Sequence, residues 1–398
     1  MGVVAPRAGL RRALAASAAV GSVVAAVALA CGPGDIADLT AGRSDAGAVD
    51  AEPQVESGCA HASAPDRPTV DDGVSGPDLL FALDDIRFAT SERDGGLPKP
   101  DGLDLDQTCT CPEPESCTPP DAAIKRPCDG DGGRDNTAGT LLAVAATAVP
   151  DLRLEMVREQ IRSGSFDLLV SVKGWNGQPD DPNVIVGLLL SVGSEGAQSA
   201  DAGRAAPLFD GTDVWTVRPS SVLGGADVVG SDCRELGGCV PAKADGLAYV
   251  RGGVLVAHLD LPLQLTTTTG TFTIDFLDAT LAARLTRQGA RTRIEGQVAG
   301  RWPVERLLAG IARIRNPQSG IALCASDAGL EVYQIVKQGV CESADLAAQR
   351  SFDRTAARCD ALSNAFTFTA VEATAGTVFE GPTMQSNPCP DFKDRCQN

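Results

Sequence analysis

From Phe166 onward the chain alternates. Phe166, Leu168, Val170 and Val172 alternate with Asp167, Ser171 and Lys173, the period-two pattern of a half-buried strand. Val184–Val192 is a continuous apolar run, which predicts an interior strand, and Val214–Val217 a shorter one. Leu247–Val250 and Val254–Leu259 flank Arg251-Gly252-Gly253, a hairpin signal because glycine adopts the positive φ of a tight turn. A second hairpin, Leu261–Thr267 with Thr271–Phe276, is predicted about Gly270. Ala279, Leu281, Ala283 and Leu285 alternate next, then Thr292, Ile294 and Val298. Seven or eight strands joined by turns predict a mainly β (α+β) chain, arranged as an antiparallel β-sandwich.

Helical spacing appears on both sides of this region. Ala138–Ala148 and Asp151–Arg162 are predicted helices, the second with Leu152, Leu154, Val157 and Ile161 on one side. Pro303 opens another, with Val304, Leu307, Leu308, Ile311 and Ile314 as its apolar face. Further helices are expected over Gly320–Lys337 and near Leu346–Leu362, before Phe366–Val378 returns to strand-like alternation. The expected fold is therefore a sandwich with helical additions before and after it, stapled by several disulfides.

The N-terminus follows a different pattern. Arg7, Arg11 and Arg12 precede Ala13–Ala30, which is apolar or small throughout and ends at Cys31. This is the layout of a secretory signal peptide over 1–30, and Cys31 is the expected lipidation site. Residues 31–77, rich in Gly, Ala, Asp, Ser and Pro, read as a flexible tether. Residues 78–135 form an irregular segment dense in Cys, Asp and Gly. The β domain is placed at 136–302, and a helical, Cys-containing part at 303–398.

Composition narrows the chemistry. Formal net charge is −18, and losing Arg7, Arg11 and Arg12 makes the mature chain more negative still. Such a surface repels phosphate backbones, which excludes nucleic-acid binding as a role. There are 13 cysteines; setting Cys31 aside leaves an even number, as expected of disulfides in an oxidising compartment. Zinc is the weaker reading of Cys109, Cys111, Cys117 and Cys128, whose spacing lacks a C-x-x-C pair. Cys233 with Cys239, across a Gly-bearing loop, is the expected pair.

Three groups of residues carry candidate chemistry. The string CDGDGGRDN supplies Asp129, Asp131, Asp135 and Asn136 as candidate calcium ligands, since calcium needs several hard oxygens on a tightly turning backbone. Gly133 and Arg134 break the standard loop pattern, so a solvated Asp-Gly turn competes with that reading. Trp175 and Asn176, in KGWNGQPDDP, are the candidate binding residues: an exposed indole can stack on a sugar ring, whereas a buried one closes the core. Of the two histidines, His61 falls in the tether and His258 on a strand beside Val254 and Val256. No nucleophile elbow, H-E-x-x-H or phosphate-cradling loop occurs, so no catalytic residue is assigned.

Val23–Ala30 followed by Cys31 resembles the lipobox of bacterial lipoproteins, with Ala28 where leucine is usual and Leu29 one place later. With GLDLDQTCTCPEPESC, CDGDGGRDN and VKGWNGQPDDPNV, the chain resembles predicted lipoproteins of high-GC Gram-negative bacteria. That resemblance implies export and attachment to the membrane through an N-terminal lipid. Gly32 after the cysteine implies outer-membrane sorting. No activity follows from it. The expected role is non-enzymatic, binding an envelope polysaccharide or protein or serving structurally; the competing expectation is a carboxylate-dependent hydrolase of polysaccharide.

Overall fold

The computed structural model describes residues 59–70, 73–88, 90–91, 99–100, 102–110, 115–120, 128–148, 155–195, 206–234, 239–267, 270–315, 319–380 and 387–396. The expected signal peptide, Cys31 and most of the expected tether lie outside these residues.

Eight strands form a closed antiparallel barrel. They are β1 (Leu79–Arg87), β4 (Asp167–Lys173), β5 (Asp181–Ser191), β8 (Lys243–Arg251), β9 (Val254–Thr267), β10 (Gly270–Gln288), β11 (Arg291–Pro303) and β12 (Ala361–Glu372). Each pairs with the next around the ring, and β12 returns to β1, with Phe81 opposite Glu372 and Ile86 opposite Phe368. Short β2 (Thr90–Ser91) and β3 (Lys99–Pro100) form a separate ribbon. A three-stranded sheet of β6 (Gly193–Ser194), β7 (Val214–Val217) and β13 (Thr374–Val378) lies beside the barrel.

The expected antiparallel β-sandwich is thus corrected to a barrel, for two physical reasons. What read as separate short strands are continuous. β10 runs for 19 residues through a bulge at Asp278 (φ 47°), where its pairing with β9 slips between Phe276 and Ala279. Long strands that bend at bulges curl a sheet until its edges meet. Alternation also cannot report that the first strand pairs with the last.

One stretch of the ring is thinly paired. β8 meets β9 only at Tyr249–Arg251, while Lys243–Leu247 diverges. The open edge of β9 is blunted: the Asp245 carboxylate accepts the His258 N–H at 2.8 Å, and Pro262, four residues on, has no N–H to offer. The turn closing this hairpin, Gly252-Gly253, has φ of 57° and 78°, the conformation of a primed turn.

Inward positions are apolar and buried, among them Phe81, Val170, Val186, Leu255, Phe276 and Phe366. Phe276 and Phe366 meet edge to face at 5.1 Å. Outward positions include exposed Lys243, Arg251, His258, Asp260, Arg284 and Glu295. That is the reverse of a barrel whose wall faces lipid. No described helix is long and apolar enough to cross a membrane.

Two patches of the outer wall are covered. Leu80, Ala82, Leu169 and Leu189 pack under Trp215 and Val217 of the small sheet, and Ala299, Ala361 and Ala365 pack under Leu103 and Leu105. The α-helices among the described residues are α1 (Thr137–Ala148), α2 (Glu155–Arg162), α3 (Val304–Arg313) and α4 (Asp327–Glu342). α4 starts later than its pattern suggests because Ser326 caps it, accepting the Gly329 N–H. The helix expected near Leu346–Leu362 is absent. Its residues are held as a loop by backbone bonds between Leu346 and Ala361 and by the Cys117–Cys359 disulfide.

Cys59–Cys109, Cys233–Cys239, Cys324–Cys389 and Cys341–Cys396 are also bonded. The described part of the expected tether lies along the barrel. Pro65 O accepts the Tyr249 hydroxyl at 2.6 Å, Arg67 donates to Pro182 O at 3.0 Å, and the Gly76 N–H donates to Trp175 O at 3.1 Å.

Candidate functional site

Leu103 and Leu105 pack on Ala299 of β11 and on Ala361 and Ala365 of β12, and the buried Asp104 and Asp106 alternate with them. The backbone of this stretch is fixed on both sides. Asp104 N donates to Ala62 O at 2.9 Å, and Asp135 N donates to Leu103 O at 3.1 Å. Leu105 N donates to Asp135 Oδ2 at 2.8 Å. Gly102 (φ 146°) lies so close to Asp135 O that a Cβ would stand 2.6 Å from it.

These contacts gather carboxylates from distant parts of the chain. Asp106, Glu115, Asp129, Asp135 and Asp345 line one cavity, with Thr110, Thr137 and Ser343 completing its wall. Among the described residues, no lysine, arginine or histidine lines it. Asp104, Asp106 and Asp135 each offer an oxygen within 4.8 Å of the others. Backbone donors hold individual oxygens: Thr108 N on Asp106 Oδ1 (2.9 Å) and Thr110 N on Asp129 Oδ2 (2.6 Å). Asp345 accepts from Ser363 N (2.8 Å) and the Thr137 hydroxyl (2.7 Å). Asp104 pairs with His61 of the N-terminal segment.

Burial makes these carboxyls hard to ionise, and they repel one another. Asp129 is pushed up to about 7, first by burial and then by Asp106 and Asp345. Asp106 rises to about 6 through burial, with Asp104 and Asp345 adding to it. Asp135 is raised well above the usual range, again by burial first. The cavity is about 20 Å³, room for a water or a bare cation but not for a sugar ring.

No family model, curated protein or solved structure matches this chain.

The sequence-predicted ligands are divided by the fold. Asp129 and Asp135 line the cavity, whereas Asp131 is exposed and outside its wall. Asn136 does other work: its Oδ1 accepts from Gly139 N at the start of α1 and from Ala365 N of β12, both at 3.1 Å. Sequence reasoning missed Glu115 and Asp345 as members of the set. The alternation Leu103-Asp104-Leu105-Asp106 was a visible signal for Asp106. Asp345 gives none, because only folding brings it near.

Trp175 and Asn176 do not form an exposed platform. Trp175 is 7% exposed, belongs to the barrel core and donates its indole N–H to Gln178 O at 2.9 Å. Asn176 shapes the same turn, its Oδ1 accepting from Gln178 N at 2.8 Å. His258 is exposed, with Nδ1 3.1 Å from the Thr280 hydroxyl.

Proposed function

We propose that this chain is an exported envelope protein, anchored through lipid on Cys31, whose role is structural or binding rather than catalytic, and that its acidic cavity holds a calcium ion. The observation that carries the calcium reading is a set of five carboxylates, with no basic side chain among the described residues of the wall, around a space of about 20 Å³. Calcium takes six to eight oxygen ligands; carboxylates and hydroxyls are the donors present. A bound dication turns the mutual repulsion of Asp106, Asp129, Asp135 and Asp345 into attraction. It would fasten three stretches that the barrel alone does not join, around residues 106–115, 129–137 and 343–345.

The leader and Cys31 support anchoring, and the charged outer wall supports a barrel that stands off the membrane. The size of the cavity speaks against polysaccharide hydrolysis, since paired carboxylates must flank a sugar ring and a water. With Trp175 in the core, sugar stacking there also loses support, which favours the structural reading or a protein partner.

Calcium is tested by thermal unfolding of the full chain with calcium or with chelator, alongside terbium luminescence. A higher Tm with calcium, lost in Asp135→Asn, is expected; no shift and no luminescence would reject the site. Anchoring is tested separately, by incorporation of labelled palmitate into the wild type but not into Cys31→Ser.

A further inference from the structure

Trp302 and Asn364 stand apart from the otherwise apolar interior of the barrel. Both are fully buried. Asn364 lies between Leu362 and Phe366 on β12, and by alternation it shares their inward face. Opposite it on β11 is Gly300, and Trp302 is opposite Leu362, so the indole and the amide are diagonal neighbours. Trp302 Nε1, Asn364 Nδ2 and Asn364 Oδ1 have no hydrogen-bond partner among the described residues. A buried polar group left so costs about 1–3 kcal/mol, and three on adjacent residues call for a cause.

The pair lies beneath a helix. α3 follows directly from β11, and its Leu307, Leu308 and Ile311 belong to the same core. Gly310 approaches the Phe272 ring closely enough that a Cβ would stand 3.2 Å away, and Phe272 meets Trp302 edge-on at 5.5 Å. Two strands, a helix lid and two polar anchors therefore converge at one end of the barrel.

We propose that the barrel interior under α3 is a binding site for a small molecule with an apolar body and a neutral hydrogen-bonding head, the α3 lid and its aromatic layer yielding to admit it. The anchors fix the head's chemistry. Trp302 Nε1 and Asn364 Nδ2 donate, whereas Asn364 Oδ1 accepts, so the head must both accept and donate, as a hydroxyl does. An ionised head would be desolvated there among apolar side chains, which excludes a carboxylate or an amine.

The test is calorimetric titration of the full chain carrying Cys31→Ser, free of detergent, with 1-octanol and with 1-chlorooctane. One saturable site per chain is expected, with the alcohol binding about tenfold more tightly, as one well-made buried hydrogen bond implies. In Asn364→Leu the two probes are expected to bind equally. Should that variant fail to fold, Trp302→Phe is expected to narrow the preference. No saturable binding, equal affinity of the wild type for both probes, or a preference that survives the substitutions would overturn the site. A higher Tm for Asn364→Leu without any binding by the wild type would identify the pair as an unsatisfied core.

Discussion

Arg301 grips Asp353 with both ends of its guanidinium group, at 2.8 and 2.6 Å, while the same two nitrogens donate to Ala347 O (2.7 Å) and Leu105 O (2.9 Å). The arginine is 1% exposed. Leu105 separates Asp104 from Asp106, and Ala347 is two residues beyond Asp345, so one buried cation on the outer wall of β11 fixes two sides of the acidic cavity without entering it.

Removing that cation is expected to be costly. Arg301→Met leaves Asp353 unpaired in a buried setting and frees two carbonyls, for a loss of about 3–5 kcal/mol. Urea unfolding would measure it, and calcium affinity should fall in the same variant. A loss below about 1 kcal/mol would show that Arg301 does not hold these loops.

The cavity should give stability an unusual pH dependence. Asp106 and Asp129 have folded values of about 6 and about 7 against an ordinary 3.8, so the folded state holds their protons more tightly than the unfolded chain does. Their contribution is therefore fully present below about 3.8 and is lost as pH rises through about 6 to 7. With chelator present, stability is expected to fall over that window; with calcium the fall should shrink or reverse. Denaturant melts across the pH range, in each condition, check both signs.

Asp167 offers a second test of burial. It is fully buried at the start of β4; Oδ1 accepts from Leu83 N (3.2 Å) and Leu168 N (2.6 Å), and Oδ2 has no hydrogen-bond partner among the described residues. Burial holds its carboxyl well above the usual range, with Asp84 and Asp213 adding to the effect. Asp167→Asn keeps one acceptor and removes the charge but places an amide N–H where Oδ2 has no partner, so the effect of the substitution on stability is expected to be more favourable near neutral pH than at pH 4. Equal effects at both pH values would refute this account.

Trp175→Ala is expected to act on folding. Removing an indole from this end of the core should cost about 3–5 kcal/mol, seen as a lower urea midpoint. Unchanged stability together with lost retention on envelope polysaccharide would instead restore Trp175 as a binding residue.

Much of the local structure was legible from side-chain order. The alternation of Phe166–Val172, the Gly252-Gly253 turn and the apolar face of Val304–Ile311 each reflect constraints set within a few residues: strand period, turn dihedral, helix pitch. The proximity of Cys233 to Cys239 was local too. The helix expected near Leu346–Leu362 failed because the two ends of the segment bond to each other, Leu346 with Ala361, and Cys359 is tied to the distant Cys117.

The acidic cavity and the barrel were decided by tertiary structure. Asp129 and Asp135 looked like half of a loop motif, yet their company comes from Asp106 and Asp345, brought together by the burial of Leu103 and Leu105 and by hydrogen bonds to Ser363 and Thr137. Closure depends on β1 meeting β12, and alternation marks which face of a strand is apolar but not which strand lies next to it. Local sequence determined the elements, because their constraints act between near neighbours. Only the folded chain could choose a barrel over a sandwich, because that choice depends on pairings between its two ends.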